Sequence, residues 1–469
     1  MNRLVVVSNR VAPIRDSKAA AGGLAVGVYE ALREAGGFWF GWNGEVTKKP
    51  EISYETLGNI TYITMGLCKR DYDQYYRGFS NATLWPIFHY RIDLARYCRE
   101  DYEGYRRVNA MLAEKLKPLL RPDDIIWVHD YHLIPFADAC RQLGVDNRIG
   151  FFLHIPFPAP EILTAIPAHR DLLKTFSAYD LIGFQTETDR LAFQDYMTRE
   201  AHGQVKPDGS LFAYGQKFRT GVYPIGVMPD EIRRMAESYR GRRPLIGRTT
   251  DGKLRKTIIS VDRLDYSKGL LERFLAYEEF LDLFPEHRRN VEYVQIAPTS
   301  RSDVKTYQAI RKQLETEAGH LNGRLADLDW TPLHYLNKSL DRRTLMGLFR
   351  SANVGFVVPL RDGMNLVAKE YVASQDPADP GVLVLSRFAG AVHELTSALI
   401  VNPYDCVGMA EALDRALRMP LAERKERYEQ QMQAIRAADL SAWRDNFLRD
   451  LGAFADQPSA LREGRAVAS

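Results

Sequence analysis

Val354-Gly355-Phe356-Val357-Val358-Pro359-Leu360-Arg361-Asp362-Gly363-Met364-Asn365-Leu366-Val367-Ala368-Lys369-Glu370 reads as a strand, a turn and a helix in that order. The apolar run from Val354 to Val358 predicts a buried parallel strand. Gly363 supplies a turn, Asn365 is a good N-cap type, and Leu366 to Ala373 has helical spacing. Such a unit sets free backbone N–H groups and the positive end of a helix at the carboxyl edge of a sheet. A diphosphate or a sugar hydroxyl fits there. Glu370, one turn into the helix, can offer its carboxylate to a ribose diol. The bland alternative is an ordinary strand-to-helix turn with a solvated glutamate.

The same alternation runs outward in both directions. Leu4–Val7, Ile125–Val128, Ile149–Leu153, Leu181–Phe184 and Gly221–Ile225 are predicted strands in the first half of the chain. Thr257–Val261, Tyr293–Ile296, Val354–Val358, Val382–Leu385 and Ala398–Val401 are predicted in the second. Amphipathic helices lie between them, among them Leu24–Leu32, Tyr105–Leu120 and Leu270–Phe284. Continuous Val/Ile/Leu runs are what a sheet covered on both faces requires, and repeated βα units give doubly wound sheets. The series breaks across Met235–Lys256, a polar stretch rich in Gly and Arg. The reading is therefore α/β, with two Rossmann-like parallel-sheet domains, 1–238 and 239–455, the last helix being expected to return to the first domain. A cleft between their carboxyl edges is the expected ligand site. Residues 456–469 are expected to form a disordered tail.

Composition narrows the function classes. A chain of 469 residues is long for one core and comfortable for two. Its formal charge of +3 gives no argument for a nucleic-acid or membrane-surface partner, so basic residues have to be read locally. Cys68, Cys98, Cys140 and Cys406 are scattered without a CxxC pair, which argues against structural zinc and a disulfide framework. The apolar run near the N-terminus is too short for a secretory signal, and no stretch approaches the ~20 apolar residues of a membrane span. A cytoplasmic protein is the expectation.

Several charges stand at predicted strand ends. Arg263 and Lys268 flank the turn from Thr257–Asp262 into the next helix. Two cations at a helix N-terminus oppose its dipole, and an anionic ligand removes the conflict. In the first half, strand Leu4–Ser8 ends in Asn9-Arg10, and Ala21-Gly22-Gly23-Leu24 opens a helix after a loop. The paired glycines allow close backbone approach, although they form neither a GxGxxG nor a P-loop. Asp130 follows Trp127-Val128-His129, and His154 follows Phe151-Phe152-Leu153. A metal held by His129, Asp130, His132 and His154 is conceivable, but the cluster has no standard ligand geometry. Asp71-Tyr72-Asp73 and Asp327-Leu328-Asp329 match a two-letter DxD, which any charged chain produces by chance. Tyr76 and Trp85 belong to an aromatic-rich loop that serves either as core or as a sugar platform. Arg301 is a further cation beyond a strand.

Taken together, these segments resemble the trehalose-6-phosphate synthase family, retaining nucleotide-sugar glucosyltransferases of the GT-B fold. The resemblance is carried by Val7–Arg10, Ala21–Leu24, Tyr76 through Pro86, Trp127–His132, His154–Pro158, Gly183–Thr186, Val261–Gly269, Pro298–Arg301 and Arg361–Glu370, in order along the chain. It implies that glucose passes from a nucleoside-diphosphate glucose, with UDP-glucose favoured, to glucose 6-phosphate. The implied donor residues are Arg263 and Lys268 on the diphosphate and Glu370 on the ribose. Gly22 and Gly23, with the segment Asn365, Leu366, Val367, Ala368 and Lys369, cradle the diphosphate and glucose. Asp362 and His154 take glucose hydroxyls, and Leu340 lies by the base. The implied acceptor residues are Arg10, Tyr76, Trp85 and Arg301, with Asp130 near the reacting carbon. Asp130, His154, Arg263 and Lys268 carry the catalytic expectation. Neither a metal nor a cofactor is implied, the nucleotide sugar being a co-substrate, and similar enzymes form homo-oligomers, as dimers or tetramers.

Retaining glycosidases use two carboxyls ~5 Å apart, and no such pair is evident. The resemblance implies front-face departure and attack instead, with the leaving phosphate taking the acceptor's proton. The rival readings are a pseudo-glycosyltransferase joining cyclitols, a pyridoxal-phosphate phosphorylase using Lys369, and a catalytically silent regulatory homologue.

Overall fold

The computed structural model describes residues 3–11, 23–239, 252, 254–299 and 305–453. Gly22, Arg301 and the tail from Asp456 lie outside them. Two compact units divide the described residues: 3–11, 28–224 and 441–453 form the first, and 23–27 with 225–440 form the second.

The first unit is built on strands β1 (Leu4–Arg10), β2 (Gly37–Val46), β3 (Ile52–Leu57), β4 (Ile60–Leu67), β5 (Ile125–His129), β6 (Arg148–Phe152), β7 (Leu181–Phe184), β8 (Gln204–Val205), β9 (Ser210–Ala213) and β10 (Gln216–Val222). They form one sheet in the order β3-β4-β2-β1-β5-β6-β7-β10-β9-β8. Its centre is parallel, and β3, β8 and β9 add antiparallel edges. Val5, Val6, Ile126, Val128, Ile149 and Phe151 are fully buried, as continuous apolar runs covered on both faces must be.

The second unit carries β11 (Lys256–Val261), β12 (Val291–Ile296), β13 (Leu333–Leu336), β14 (Val354–Val357), β15 (Val382–Ser386) and β16 (Leu399–Val401), all parallel, in the order β13-β12-β11-β14-β15-β16. This is the dinucleotide-fold order, with its reversal between β11 and β14. The helix Leu270–Leu283 buries Phe274, Tyr277, Phe280 and Leu281, spaced at i, i+3, i+6 and i+7, into the core with Tyr293 and Phe356. Each such side chain stabilises the fold by ~1.5–3 kcal/mol. The α/β class with two parallel-sheet units is thus present.

Local differences have local causes. Strands β2 to β4 were not anticipated: glycines at positions 37, 41 and 44 interrupt the apolar pattern of β2, and β3 is an exposed edge strand without an apolar run. The strand expected at Gly221–Ile225 instead runs Gln216–Val222, where Gln216, Lys217 and Arg219 on a half-exposed strand mask the alternation. The helix expected at Tyr105–Leu120 spans Arg99–Leu116; Glu100 and Asp101 favour its first turn, and Pro118 follows its end. The boundary expected near residue 238 falls earlier, because the helix Pro229–Ser238 packs on the helices Arg342–Ser351 and Leu366–Ser374 of the second unit. From Ser441 onward the chain belongs to the first unit, where Trp443 and Phe447 pack on Trp127.

Candidate functional site

In the second unit the turns after β11 and β14 leave the sheet at the reversal of strand order, where open α/β sheets bind ligands. Backbone bonds stitch the two turns together: Leu360 N and Arg361 N donate to Ser267 O at 2.8 and 3.3 Å. Gly269, with φ +64°, lets the first turn touch the second, since a Cβ there would lie 2.3 Å from Val358 O. The result is direct. Lys268 Nζ donates to Asp362 Oδ2 at 2.5 Å, and Asn365 Nδ2 donates to the same oxygen at 3.0 Å. Lys268 is only 8% exposed, whereas Arg263 stands exposed at the end of β11.

Beneath them lies a residue that the sequence did not single out. Arg273, fully buried, donates to Asp262 Oδ2 (2.9 Å), Lys268 O (2.9 Å), Phe356 O (3.2 Å) and Gly269 O (3.3 Å). Burial pushes the Asp262 carboxyl up, and the Arg273 guanidinium opposes that shift. An arginine on the apolar face of a helix was the available signal.

Asn365 occupies the N-cap position of the helix Leu366–Ser374 but makes no cap bond. Its φ of +73° turns the amide to Asp362, and its Oδ1 is buried without a partner. The first N–H groups of this helix are therefore left without a side-chain cap, as an anion site requires. Leu366 and Val367 are half-buried at this end and Ala368 is buried. The Lys369 ammonium is engaged within the fold: it is fully buried, 2.6 Å from Glu394 Oε2, and it donates to Ile225 O at 2.8 Å. Only the backbone of Lys369 remains for the role expected of it. Glu370 Oε1 lies 3.5 Å from Arg342, a second unanticipated residue, and burial raises the Glu370 carboxyl against that pull. Leu340 is half-buried just before the helix Arg342–Ser351. Gly390 presses on the turn, since a Cβ there would lie 1.9 Å from Gly363 O.

In the first unit the strand order reverses at β1 and β5, whose carboxyl ends carry Arg10 and Asp130. Arg10 is exposed, with its guanidinium over Gly44; a Cβ at Gly44 would lie 2.9 Å from Nε. Asn9 accepts from Tyr75 OH at 2.8 Å, which ties this strand end to the π-helix Tyr72–Leu84. That helix presents Tyr76, half-buried and stacked on His132 (5.9 Å, 11°), with Trp42 at 5.2 Å. π-Helical turns often mark functional sites. Trp85, in contrast, is 4% exposed and packs on His89 and Tyr131 as core. Gly23, which belongs to the second unit, is the first residue of the helix Gly23–Ala35.

Asp130 has φ +76° and ψ 165°, a region that costs a non-glycine residue ~1–3 kcal/mol. Its amide donates to Phe152 O at 2.8 Å, and its Oδ1 accepts from His154 N at 3.2 Å. Strain of this size persists only where the surroundings hold it, and it is concentrated at sites of chemistry. Among the described residues, three-ligand groupings occur only at Glu278–Glu317–His320 and Glu286–His287–Asp414, away from these turns. Arg324 and Arg418 already engage carboxylates in them. Of the DxD matches, Asp71 is paired with Arg107, and Asp327 with Arg289.

With this geometry in hand, the chain can be set beside known proteins. The family model for glycosyltransferase family 20 matches residues 2–453. The chain belongs to that family. The trehalose-6-phosphate synthase of Cronobacter sakazakii is 56% identical over 454 residues, covering 96% of this chain and 95% of the relative. The crystal structure of an α,α-trehalose-phosphate synthase (UDP-forming) from Burkholderia xenovorans in complex with glucose-6-phosphate superposes with a TM-score of 0.91 at 57% identity, covering 96% of this chain and 100% of that one. An E. coli structure bound with UDP-2-fluoro glucose superposes at 0.90 with 56% identity, covering 96% and 99%. This family 20 protein is a glycosyltransferase of the GT-B fold.

Electrostatics gives this family 20 enzyme a testable signature. Burial lowers His154 to about 3 and His129 well below the ordinary imidazole value. Both stay neutral in the fold while unfolded imidazoles take up protons near pH ~6.5. Their contribution is complete above about pH 6.5 and is lost as pH falls towards about 3. The urea midpoint should therefore fall between about pH 6 and about pH 4, and less steeply in His154→Asn than in wild type. Identical profiles for the two would refute neutral burial.

Proposed function

We propose that the protein transfers glucose from UDP-glucose to glucose 6-phosphate, forming α,α-trehalose 6-phosphate with retention of configuration and without a metal ion. The observation that carries this is the Lys268–Asp362 pair at the uncapped start of the helix Leu366–Ser374. An ammonium and free amides suit a diphosphate, and an adjacent carboxylate suits a sugar hydroxyl. The relatives support the reading: one is bound with glucose-6-phosphate and the other with UDP-2-fluoro glucose.

In this reading Arg263, Lys268 and the backbone N–H groups from Leu366 onward neutralise the leaving diphosphate. Fixed donors of this kind require no reorganisation as charge develops. Glu370 holds the ribose, and Asp362 and His154 hold glucose hydroxyls. Arg10, Tyr76 and Arg301 hold the acceptor, with the buried Trp85 at the end of the π-helix and Asp130 beside the reacting carbon. The leaving phosphate oxygen accepts the proton from the acceptor's anomeric hydroxyl, so the protein's work is charge stabilisation and alignment. Among the described residues, no helix is long and apolar enough to cross a membrane.

The test is an assay with glucose 6-phosphate and, in turn, UDP-, GDP- and ADP-glucose. Production of trehalose 6-phosphate fastest from UDP-glucose is expected; no product from any donor would sink the reading. The same assay in EDTA should run at the untreated rate, whereas activity restored only by a divalent ion would return a metal to the mechanism. Gly390→Ala should destabilise the fold by ~1–3 kcal/mol through overpacking against Gly363 and raise the KM for the donor. An unchanged melting temperature would show that the turn yields freely.

A further inference from the structure

The grip on His154 comes from two neighbouring residues. Asp130 takes its backbone amide, and His129 meets its ring: His129 Nδ1 and His154 Nε2 are 3.1 Å apart. One of these nitrogens must donate and the other accept, so the tautomer of one imidazole fixes that of the other. His129 is fully buried. Its ring packs on Trp127 (4.5 Å between centroids), Trp443 (6.1 Å) and Phe152 (6.5 Å). His129 Nε2 is buried without a partner, and so are the indole N–H groups of Trp127 and Trp443.

Two arrangements satisfy the 3.1 Å contact. If His154 Nε2 donates, His129 must carry its own proton on Nε2, which is then a buried N–H without an acceptor. If His129 Nδ1 donates, its Nε2 is a buried lone pair without a donor. Buried orphan N–H groups are rarer than under-satisfied acceptors. The second arrangement is the less costly.

We propose that His129 is a positioning residue which donates through Nδ1 to His154 and thereby holds His154 as its Nδ1–H tautomer. The proposal rests on the reading of His154 as a sugar-hydroxyl ligand and deepens it. His154 is half-buried and its Nδ1 has no partner among the described residues, so the group offered to a ligand there is a donor. A donor selects a sugar oxygen acting as acceptor. The ring also gains a fixed orientation, as a histidine does when its second nitrogen is held.

The test begins with the unliganded enzyme. Nitrogen NMR on histidine-labelled protein, with His154 assigned by comparison with His154→Asn, reads the tautomer directly. A protonated Nδ1 on His154 in wild type is expected; a protonated Nε2 overturns the proposal. In His129→Phe, which keeps a ring in the pocket, His154 should lose its single tautomer. The kcat/KM for UDP-glucose should fall about 10- to 100-fold, the range over which orienting partners act, with the KM for glucose 6-phosphate unchanged. His129→Asn, whose amide can still donate to Nε2, should restore most of the rate and the Nδ1–H signal. Unchanged tautomer and kinetics in His129→Phe would overturn the assignment. If that variant does not fold, the wild-type spectrum and His129→Asn decide. Because the spectrum needs no substrate, failure of the glucosyltransferase reading would show in the assay while the tautomer is settled independently.

Discussion

Lys268→Ala should lower turnover at least ~100-fold, the scale of removing one preorganised donor from developing transition-state charge. Lys268 is the residue whose surroundings commit it most fully. It is nearly buried, its backbone oxygen is held by Arg273, and its ammonium is 2.5 Å from Asp362. A cation so fixed requires little reorganisation when a diphosphate leaves beside it. Removing it also leaves the Asp362 carboxylate with the Asn365 amide as its remaining neighbour in that cluster, a negative charge where another must develop. Turnover should therefore fall more than donor affinity. Lys268→Arg should not rescue it, because a planar guanidinium does not fit the place of a compact ammonium. Steady-state kinetics at saturating UDP-glucose checks this, with the melting temperature as a control for folding. Turnover at the wild-type level in Lys268→Ala would remove the residue from the chemistry; a raised KM with unchanged kcat would reduce it to ground-state binding.

Arg273→Leu should destabilise the protein by ~3–5 kcal/mol, the cost of stranding one partner of a buried ion pair. Arg273 and Asp262 have side chains 0% and 4% exposed, so neither water nor salt can replace the lost partner. Three backbone carbonyls lose the guanidinium at the same time, although Phe356 O keeps Ser260 Oγ and Gly269 O keeps the residue-273 amide. Two of them belong to Lys268 and Gly269, so whatever variant folds should also bind the donor less well. Removing both charges, as Arg273→Leu with Asp262→Leu, should recover part of the stability, since an apolar replacement leaves no uncompensated charge. Urea denaturation measures both, and a loss below about 1 kcal/mol in the single variant would show that the pair is not a keystone of the turn.

These two residues also show how far the chain could be read without a structure. Lys268 was legible because a cation beside a predicted helix start conflicts with the helix dipole, which is a local signal. Arg273 was not, because its role depends on Asp262 and Phe356, brought to it by the sheet. Asn365 was read at the N-cap, and there it stands. Its backbone conformation and its turn towards Asp362 could not be read, because they follow from contacts with the turns around it. Lys369 was assigned by its neighbours in sequence, yet its side chain is held by Glu394 and Ile225. Strand β2 was missed where glycines interrupt the apolar pattern. Arg342 had no signal beyond adjacency to Leu340, and His129 was read only as a conceivable metal ligand, because its pairing with His154 is made by the sheet.

The order of residues alone determined the chemical inventory: apolar runs of strand length, helical spacing between them, and charges at the ends of strands. Those are properties of neighbours along the chain, governed by side-chain periodicity and turn chemistry. Only the tertiary structure decided which charges meet, for Lys268 and Asp362 are separated by 94 positions and are joined by the parallel pairing of β11 with β14. It alone decided the strained backbone of Asp130 and the histidine pair, because burial and hydrogen-bond partners are set by whatever the folded sheet places alongside.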